Sequence, residues 1–438
     1  MGFDPHRPPS RALLEDCVHC GFCLPSCPTY VLWGEEADSP RGRIHLLSQF
    51  LDGAPLEGAV ATHLDRCLSC MACVTACPSG VRYDELVEAA RPQLERHVRR
   101  PLRERAVRAA IFAVFPHPRR LRVARRALVL GDRTGLLALA RRPGVARRLP
   151  PRLRALAALA PPVRPEEPVP PRLPAVGERR GSVGLLTGCV QGAFFSHVNA
   201  ATARVLQAEG FEVVTPAGQP CCGALAGHAG REEDAKAAAR ATIACFEAAG
   251  VDTVVVNAAG CGSAMKAYGR LLDDDPAYAG RAARLAAATH DLSELLADLP
   301  ARAARHPVPA RVAYHDACHL SHAQQVRDQP RRLLAGIPGL EVVEIPGGEL
   351  CCGSAGVYNL LQPEAARQLG SRKAASLATT HAEVFVTANP GCMLQLAAAT
   401  RDAGKERRGL HLAEVLDASL RGAPLEAVLG AGPTTVPS

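Results

Sequence analysis

Two stretches of the chain read Cys-x-x-Cys-x-x-Cys-x-x-x-Cys-Pro: Cys17, Cys20, Cys23 and Cys27-Pro28, then Cys67, Cys70, Cys73 and Cys77-Pro78. Three thiols at three-residue spacing, with a fourth set before proline, form the bacterial pattern for holding [4Fe–4S] cubanes. A cubane needs four thiolates converging from different directions; the short loop supplies three, and the fourth reaches across to the other cluster. The expected donor sets are therefore Cys17, Cys20, Cys23 and Cys77 for one cluster, and Cys67, Cys70, Cys73 and Cys27 for the other. A zinc ribbon pairs two Cys-x-x-Cys units across a longer loop, and a disulfide framework belongs to short secreted chains. The chemistry expected here is one-electron transfer.

A second cysteine system lies downstream and is written twice. Val183-Gly-Leu-Leu-Thr-Gly-Cys189 matches Val312-Ala-Tyr-His-Asp-Ala-Cys318. Glu212-Val-Val leads to Cys221-Cys222-Gly223 as Glu341-Val-Val leads to Cys351-Cys352-Gly353, and Val254-Val-Val runs to Cys261 as Val384-Phe-Val runs to Cys392. The near-constant offset marks a duplication. Each copy offers four thiols, the number a cubane requires: Cys189, Cys221, Cys222 and Cys261, then Cys318, Cys351, Cys352 and Cys392. Iron–sulfur clusters are expected ahead of zinc, with inert buried thiols as the plain alternative. Gly223 and Gly353 would let the backbone pass close to a bulky group. His315, His319 and His322 surround Cys318, either to tune or bind a cluster or as residues beside it. Cys245, inside Ala-Thr-Ile-Ala-Cys-Phe, reads as a core residue.

The elements that must position these thiols follow from the pattern between them. Residues 1–100 form a helical two-cluster module, with Ile44, Leu47, Leu51, then Leu56, Val60 and Leu64 at helical spacing, broken by Gly53 and Pro55. Residues 101–180 form an Arg-rich helical connector, ending in seven prolines between Pro161 and Pro174 that read as a stiff linker. Residues 181–305 and 306–438 are the two repeats. In each, short apolar runs end at a cysteine and Ala/Leu-rich helical sequence follows. This predicts α/β units with parallel sheets and cysteines on loops at the C-terminal strand ends. The fold class is thus α/β with an α-helical N-terminal domain.

Charge is regional. Between Arg91 and Arg180 stand 23 Arg, no Lys and six acids, a net +17, while the whole chain is +8. A solvated linker is the plain reading; contact with anionic headgroups is the functional one, and without an interleaved aromatic platform no nucleic acid is expected. Met1 to Ser10 lacks the apolar run of a secretion signal, so the thiols are expected to be reduced and cytoplasmic. No Gly-x-Gly-x-x-Gly follows a strand and no P-loop occurs.

With these residues together, the chain resembles the iron–sulfur subunit of bacterial glycolate oxidase (glycolate dehydrogenase), within the wider group carrying heterodisulfide-reductase-type Cys-Cys-Gly domains. The resemblance rests on both ferredoxin-type runs, Ser39-Pro-Arg-Gly-Arg-Ile44, both Cys-Cys-Gly repeats, and the stretches Tyr314–His322, Glu349–Asn359 and Asn389–Gln395. It implies a subunit, not catalytic alone, that takes electrons from FAD-containing glycolate dehydrogenase subunits toward a quinone-linked acceptor. No flavin is expected on this chain, and the complex would be cytoplasmic or peripheral on the inner membrane face. Subunits of lactate and anaerobic glycerol-3-phosphate dehydrogenases look similar, and an iron–sulfur sensor or nucleic-acid-binding protein is the rival of another class. One departure matters: Ala264 and Gln395 stand where full Cys-Cys-Gly domains often carry a fifth cysteine, which argues against non-cubane clusters and disulfide reduction.

Overall fold

The computed structural model describes residues 2–55 and 58–429. The expected helical positions Leu56 and, for its side chain, Val60 lie outside the described residues. The N-terminal module is helical. Ser39 starts the helix Pro40–Leu51, its hydroxyl accepting the Gly42 N–H at 3.0 Å, while Pro40 occupies a first-turn position that needs no donor. Ile44 and Leu47 from this helix meet Leu64 from Gly58–Asp65 and Leu86, Val87, Ala90 and Leu94 from Tyr83–His97 in one core that also encloses Cys67 and Cys73. Leu51 is only half-buried; Phe50 fills the core position beside it.

The Arg-rich connector is a cover rather than a solvated linker. Its helix Leu102–Val114 lays Ile111 and Phe112 on Ala226 and Ala235 of the first repeat and on Val357 and Leu360 of the second. The helix Pro118–Arg133 buries Leu121 against Cys189 and Cys221. Arg119, Arg122 and Arg126 face solvent on its other side, with Val123 and Leu130 exposed among them. The proline-rich stretch is stitched to the first repeat. Thr215 donates through its backbone N–H to Pro171 O and through its hydroxyl to Pro170 O, and Arg172–Leu173 (β1) adds an antiparallel edge strand.

The first repeat contains β2 (Gly181–Leu186), β3 (Phe211–Val214), β4 (Val254–Val256) and β5 (Thr289–Asp291); the second contains β6 (Ala310–Tyr314), β7 (Leu340–Glu344), β8 (Val384–Thr387) and β9 (Arg408–His411). The sheets run β1-β3-β2-β4-β5 and β7-β6-β8-β9, so the duplicated strands take the same order, all mutually parallel. Both faces of each sheet are covered, which explains uninterrupted apolar runs such as Val254-Val-Val256. In this order the chain winds first one way and then the other from β2 (or β6). The reversal opens a crevice beyond the C-terminal strand ends.

The repeats share a core across a pseudo-two-fold relation. Helix Ser196–Ala208 of the first packs on Leu412–Arg421 of the second, and Leu292–Ala297 on Asp328–Ala335. Leu185, Val205, Val312, Tyr314, Leu412 and Leu416 meet between the sheets, almost without solvent contact. At about 1.5–3 kcal/mol for each large apolar side chain buried, this interface fixes the two crevices relative to each other.

Candidate metal centres

The two N-terminal runs fold as matching loops that cross. Cys17, Cys20, Cys23 and Cys77 line one cavity of about 30 Å³. Cys27, Cys67, Cys70 and Cys73 line another of about 20 Å³, and Cys73 borders both. At the same loop positions the backbone turns left-handed: His19 (φ +54°) and Gly21 (+88°) in the first run, Ser69 (+51°) and Met71 (+62°) in the second. Such residues cost about 1–2 kcal/mol when they carry a Cβ. The turn at Ser69 points its N–H at Cys67 Sγ, 3.4 Å away. Cys20 is exposed, with Val18 and Phe22 about two-thirds exposed beside it, whereas Cys67, Cys70 and Cys73 are buried.

The Ser39-Pro-Arg-Gly-Arg-Ile44 segment organises both loops. Arg41 donates to His19 O at 2.8 Å and to Glu36 Oε1 at 2.6 Å. A Cβ on Gly42 would lie 1.9 Å from Glu36 O, so only glycine fits there. Arg43 is fully buried. It donates to His63 O (2.6 Å), Thr29 Oγ1 (3.1 Å) and Asp38 Oδ1 (3.3 Å), and reaches Cys27 Sγ at 3.9 Å. Burial opposes the charge on Arg43, yet Cys67, Tyr83, Cys27 and Asp38 hold its pKa above the ordinary value. Burial also pushes Cys67 up, but Arg43 and Arg91 reverse this and bring it below the ordinary thiol range. Burial, then the neighbouring thiols, leaves Cys70 and Cys73 far above that range, and burial lifts Cys23 to about 11. All are free thiols. Crowded sulfurs that resist ionising together become good donors once a cationic iron centre offsets their charge, so these sets fit iron–sulfur cubanes.

The second cysteine system gathers at the two crevices. Cys189, Cys221, Cys222 and Cys261 follow β2, β3 and β4; Cys318, Cys351, Cys352 and Cys392 follow β6, β7 and β8. All eight line one cavity of about 150 Å³ between the repeats. Cys189 Sγ is 3.6 Å from Cys221 Sγ, and Cys318 Sγ is 3.9 Å from Cys351 Sγ. Each repeat holds one thiol lowered by its sulfur neighbours: Cys221 by Cys189 and Cys222, and Cys352 by Cys351 and Cys392. Cys189, Cys222, Cys351 and Cys392 are pushed up by the same contacts and by burial. Four convergent thiols per crevice again suit a thiolate-bound metal group.

The glycines of the two Cys-Cys-Gly motifs serve a purpose other than the one expected. Gly223 (φ +83°) and Gly353 (+91°) turn left-handed, and a Cβ would strike the long helix of the same repeat, Glu232–Ala248 at Ala238 Cβ (3.1 Å) and Pro363–Ala378 at Ala366 O (2.8 Å). Cys245 also departs from expectation. It is half-buried on helix Glu232–Ala248 and belongs to none of the four thiol sets.

The histidines flanking Cys318 are buried, and two of them join modules. His319 Nε2 pairs with Ser69 O at 2.8 Å, and His322 Nδ1 with Thr75 Oγ1 at 2.7 Å. Arg91 donates to Cys67 O at 2.6 Å and to His228 O. Leu68, Cys70 and Ala72 pack with Cys351, Tyr358 and Leu369, half-buried Cys318 lying against them. The second run therefore rests directly on the crevice of the second repeat.

Comparison with known proteins matches this layout. A "4Fe-4S dicluster domain" model matches residues 13–81, a "Glycolate oxidase iron-sulfur subunit, linker region" model matches 103–160, and a "Cysteine-rich domain" model matches 183–266 and 312–397. The chain is 40% identical over 419 residues to the "Probable glycolate oxidase iron-sulfur subunit" of Bacillus subtilis, covering 92% of this chain and 93% of that one. It is 37% identical over 414 residues to the Escherichia coli "Glycolate oxidase iron-sulfur subunit", covering 93% and 95%. The chain belongs to the glycolate oxidase iron–sulfur subunit family. "Lactate utilization protein A" of Geobacillus kaustophilus is 32% identical over 237 residues, but that match takes in 54% of this chain.

Within this family fold, the departure at Gln395 is structurally absorbed. Gln395 donates to Ala366 O at 2.9 Å and accepts from Asn359 at 3.3 Å, so its side chain is occupied in holding the loop around Cys352. Lys373 supports the same loop from below, donating to Gly347 O and Gly348 O. Sequence reasoning missed Arg43, whose sign in the sequence is an Arg inside an otherwise apolar helical stripe. It also missed Leu121, whose burial needs tertiary context. Among the described residues no helix is long and apolar enough to cross a membrane.

Proposed function

We propose that the chain is the electron-transfer subunit of a glycolate dehydrogenase complex. FAD-containing partner subunits oxidise glycolate to glyoxylate, and this chain takes the electrons toward a quinone-linked acceptor. The single observation behind the reading is the succession of four thiol sets lining three cavities. It starts at exposed Cys20, passes through Cys73, which borders both N-terminal cavities, continues at Cys70 beside Cys318 and Cys351, and ends in the cavity shared by the two repeats. Bound clusters supply one-electron redox capacity at each site, two on the N-terminal runs in the crossed sets and further clusters on the Cys-Cys-Gly thiols. The protein's own part is to hold sulfurs, exclude water from Cys67 to Cys73, and keep the modules in register through His319 and His322. The flavin stays on the partner, because hydride acceptance from a hydroxy acid needs a cofactor of that kind. Val18 and Phe22 around Cys20 form the flavoprotein contact, and the exposed Arg face of the connector meets anionic headgroups on the cytoplasmic side.

Anaerobic iron and sulfide analysis, together with reduction by glycolate in the presence of the flavoprotein, tests this. About eight iron atoms fill the N-terminal runs, and about sixteen fill all four sites. The isolated, flavin-free chain is reduced by dithionite but does not turn glycolate over. With the partner present, Cys70→Ser leaves flavin reduction intact and stops transfer to quinone. Cys77→Ser alters the paramagnetic signal of the group at Cys17, Cys20 and Cys23. Zinc without labile sulfide, or glycolate turnover by the isolated chain, overturns the reading.

A further inference from the structure

The second repeat contains a buried imidazole that faces thiols. His315 follows β6, is 1% exposed, and is anchored by its backbone N–H to Val386 O at 2.8 Å. Neither ring nitrogen has an oxygen or nitrogen partner, and the ring lies against the Cys352 thiol. A buried polar group left unpaired costs about 1–3 kcal/mol, and native structures hold few of them. A ring nitrogen and the Sγ atoms of Cys352 and Cys392 lie within 4.8 Å of one another. The architecture of the repeat does not require an imidazole at this position. The first repeat places Leu186 there, buried in the apolar layer behind β2. Nor is His315 used in joining modules, which falls to His319 and His322.

We infer that His315 is a ligand, supplying an imidazole nitrogen to the iron–sulfur group that the second repeat holds through Cys352 and Cys392. This rests on the reading that the Cys-Cys-Gly thiols carry such groups. Neutral imidazole is a competent iron donor, and exchanging thiolate for imidazole around an iron–sulfur group raises its reduction potential. Asn389, whose side-chain N–H donates to Cys392 Sγ at 3.3 Å, acts in the same direction by stabilising negative charge on sulfur. The two repeats, alike in fold, are then unlike in donor chemistry: thiolates alone in the first, thiolates with imidazole in the second.

The test uses the full chain labelled with ¹⁵N-histidine, reconstituted anaerobically with iron and sulfide, reduced with dithionite and examined by pulsed electron paramagnetic resonance. The expected result is a strongly coupled histidine nitrogen in the native protein. It is absent from His315→Leu, which copies Leu186, and one midpoint potential of that variant is lowered. About sixteen irons with no coupled histidine nitrogen in the native protein overturns the inference while leaving the cluster assignment standing, and needs no variant to fold. Coupling that survives in His315→Leu overturns it too. A content near eight irons removes both the inference and the cluster assignment of the repeats.

Discussion

A single guanidinium ties the second cysteine run to the elements around it. Arg43 has no route to water, and its donors are spent on His63 O, Thr29, Asp38 and Cys27 Sγ. Replacing it with Leu leaves Asp38, itself fully buried, facing only Arg66 and His63. Breaking such a buried pair costs about 3–5 kcal/mol. Arg43→Leu is therefore expected to lower the unfolding midpoint and to lose the group at Cys27 and Cys67 before the one at Cys17. Arg43→Lys does not rescue it, because a point-charge ammonium cannot span the fork of acceptors. Iron content and thermal unfolding read both outcomes. The thiols that line the N-terminal cavities stood out from spacing alone, since three of each set are neighbours in sequence. Arg43 did not, because what makes it matter is burial among partners 5 to 20 positions away, brought round it by the fold.

At the scale of elements, the duplication makes the sheets readable from sequence: three matched segments fix three strands and the cysteine after each. The fourth strand of each sheet has no cysteine to mark it, but both copies end in the same device. Asp291 caps the helix after β5 with Glu294, and His411 caps the helix after β9 with Glu414. The second box carries a titration. Burial, opposed by the His411 N–H and Arg164, raises Glu414 to about 7 from an ordinary 4.5. An acid raised on folding binds its proton more tightly in the native state, so its contribution is present below pH 4.5 and is lost as pH rises toward 7. Glu414→Gln keeps the box, since Gln serves at that position, and removes the ionisation. Its stability relative to the native protein is expected to improve by up to about 3 kcal/mol between pH 4.5 and 8, read by denaturant unfolding at each pH. A difference that does not change with pH would refute the argument. The packing of the connector was not legible, because its Arg content hides the narrow stripe of Ile111, Phe112 and Leu121 that packs.

At the scale of the whole molecule, the sites run from an exposed end to an enclosed one. The exposed end presents Val18 and Phe22, an apolar pair with no intramolecular reason to face water. Phe22→Asp is expected to weaken association with the flavoprotein about tenfold or more while leaving iron content and dithionite reduction unchanged. Co-purification and titration calorimetry measure it, and undiminished association moves the contact elsewhere. The enclosed part has a consequence for how the protein is made. Cys70 lies beneath a lid formed by the second repeat, closed by His319 on Ser69 and His322 on Thr75. A chain that closes empty has shut its own loading door. Iron delivery to the second run is therefore expected to precede docking of the repeats, which are synthesised last, so maturation would have a deadline set by translation and folding.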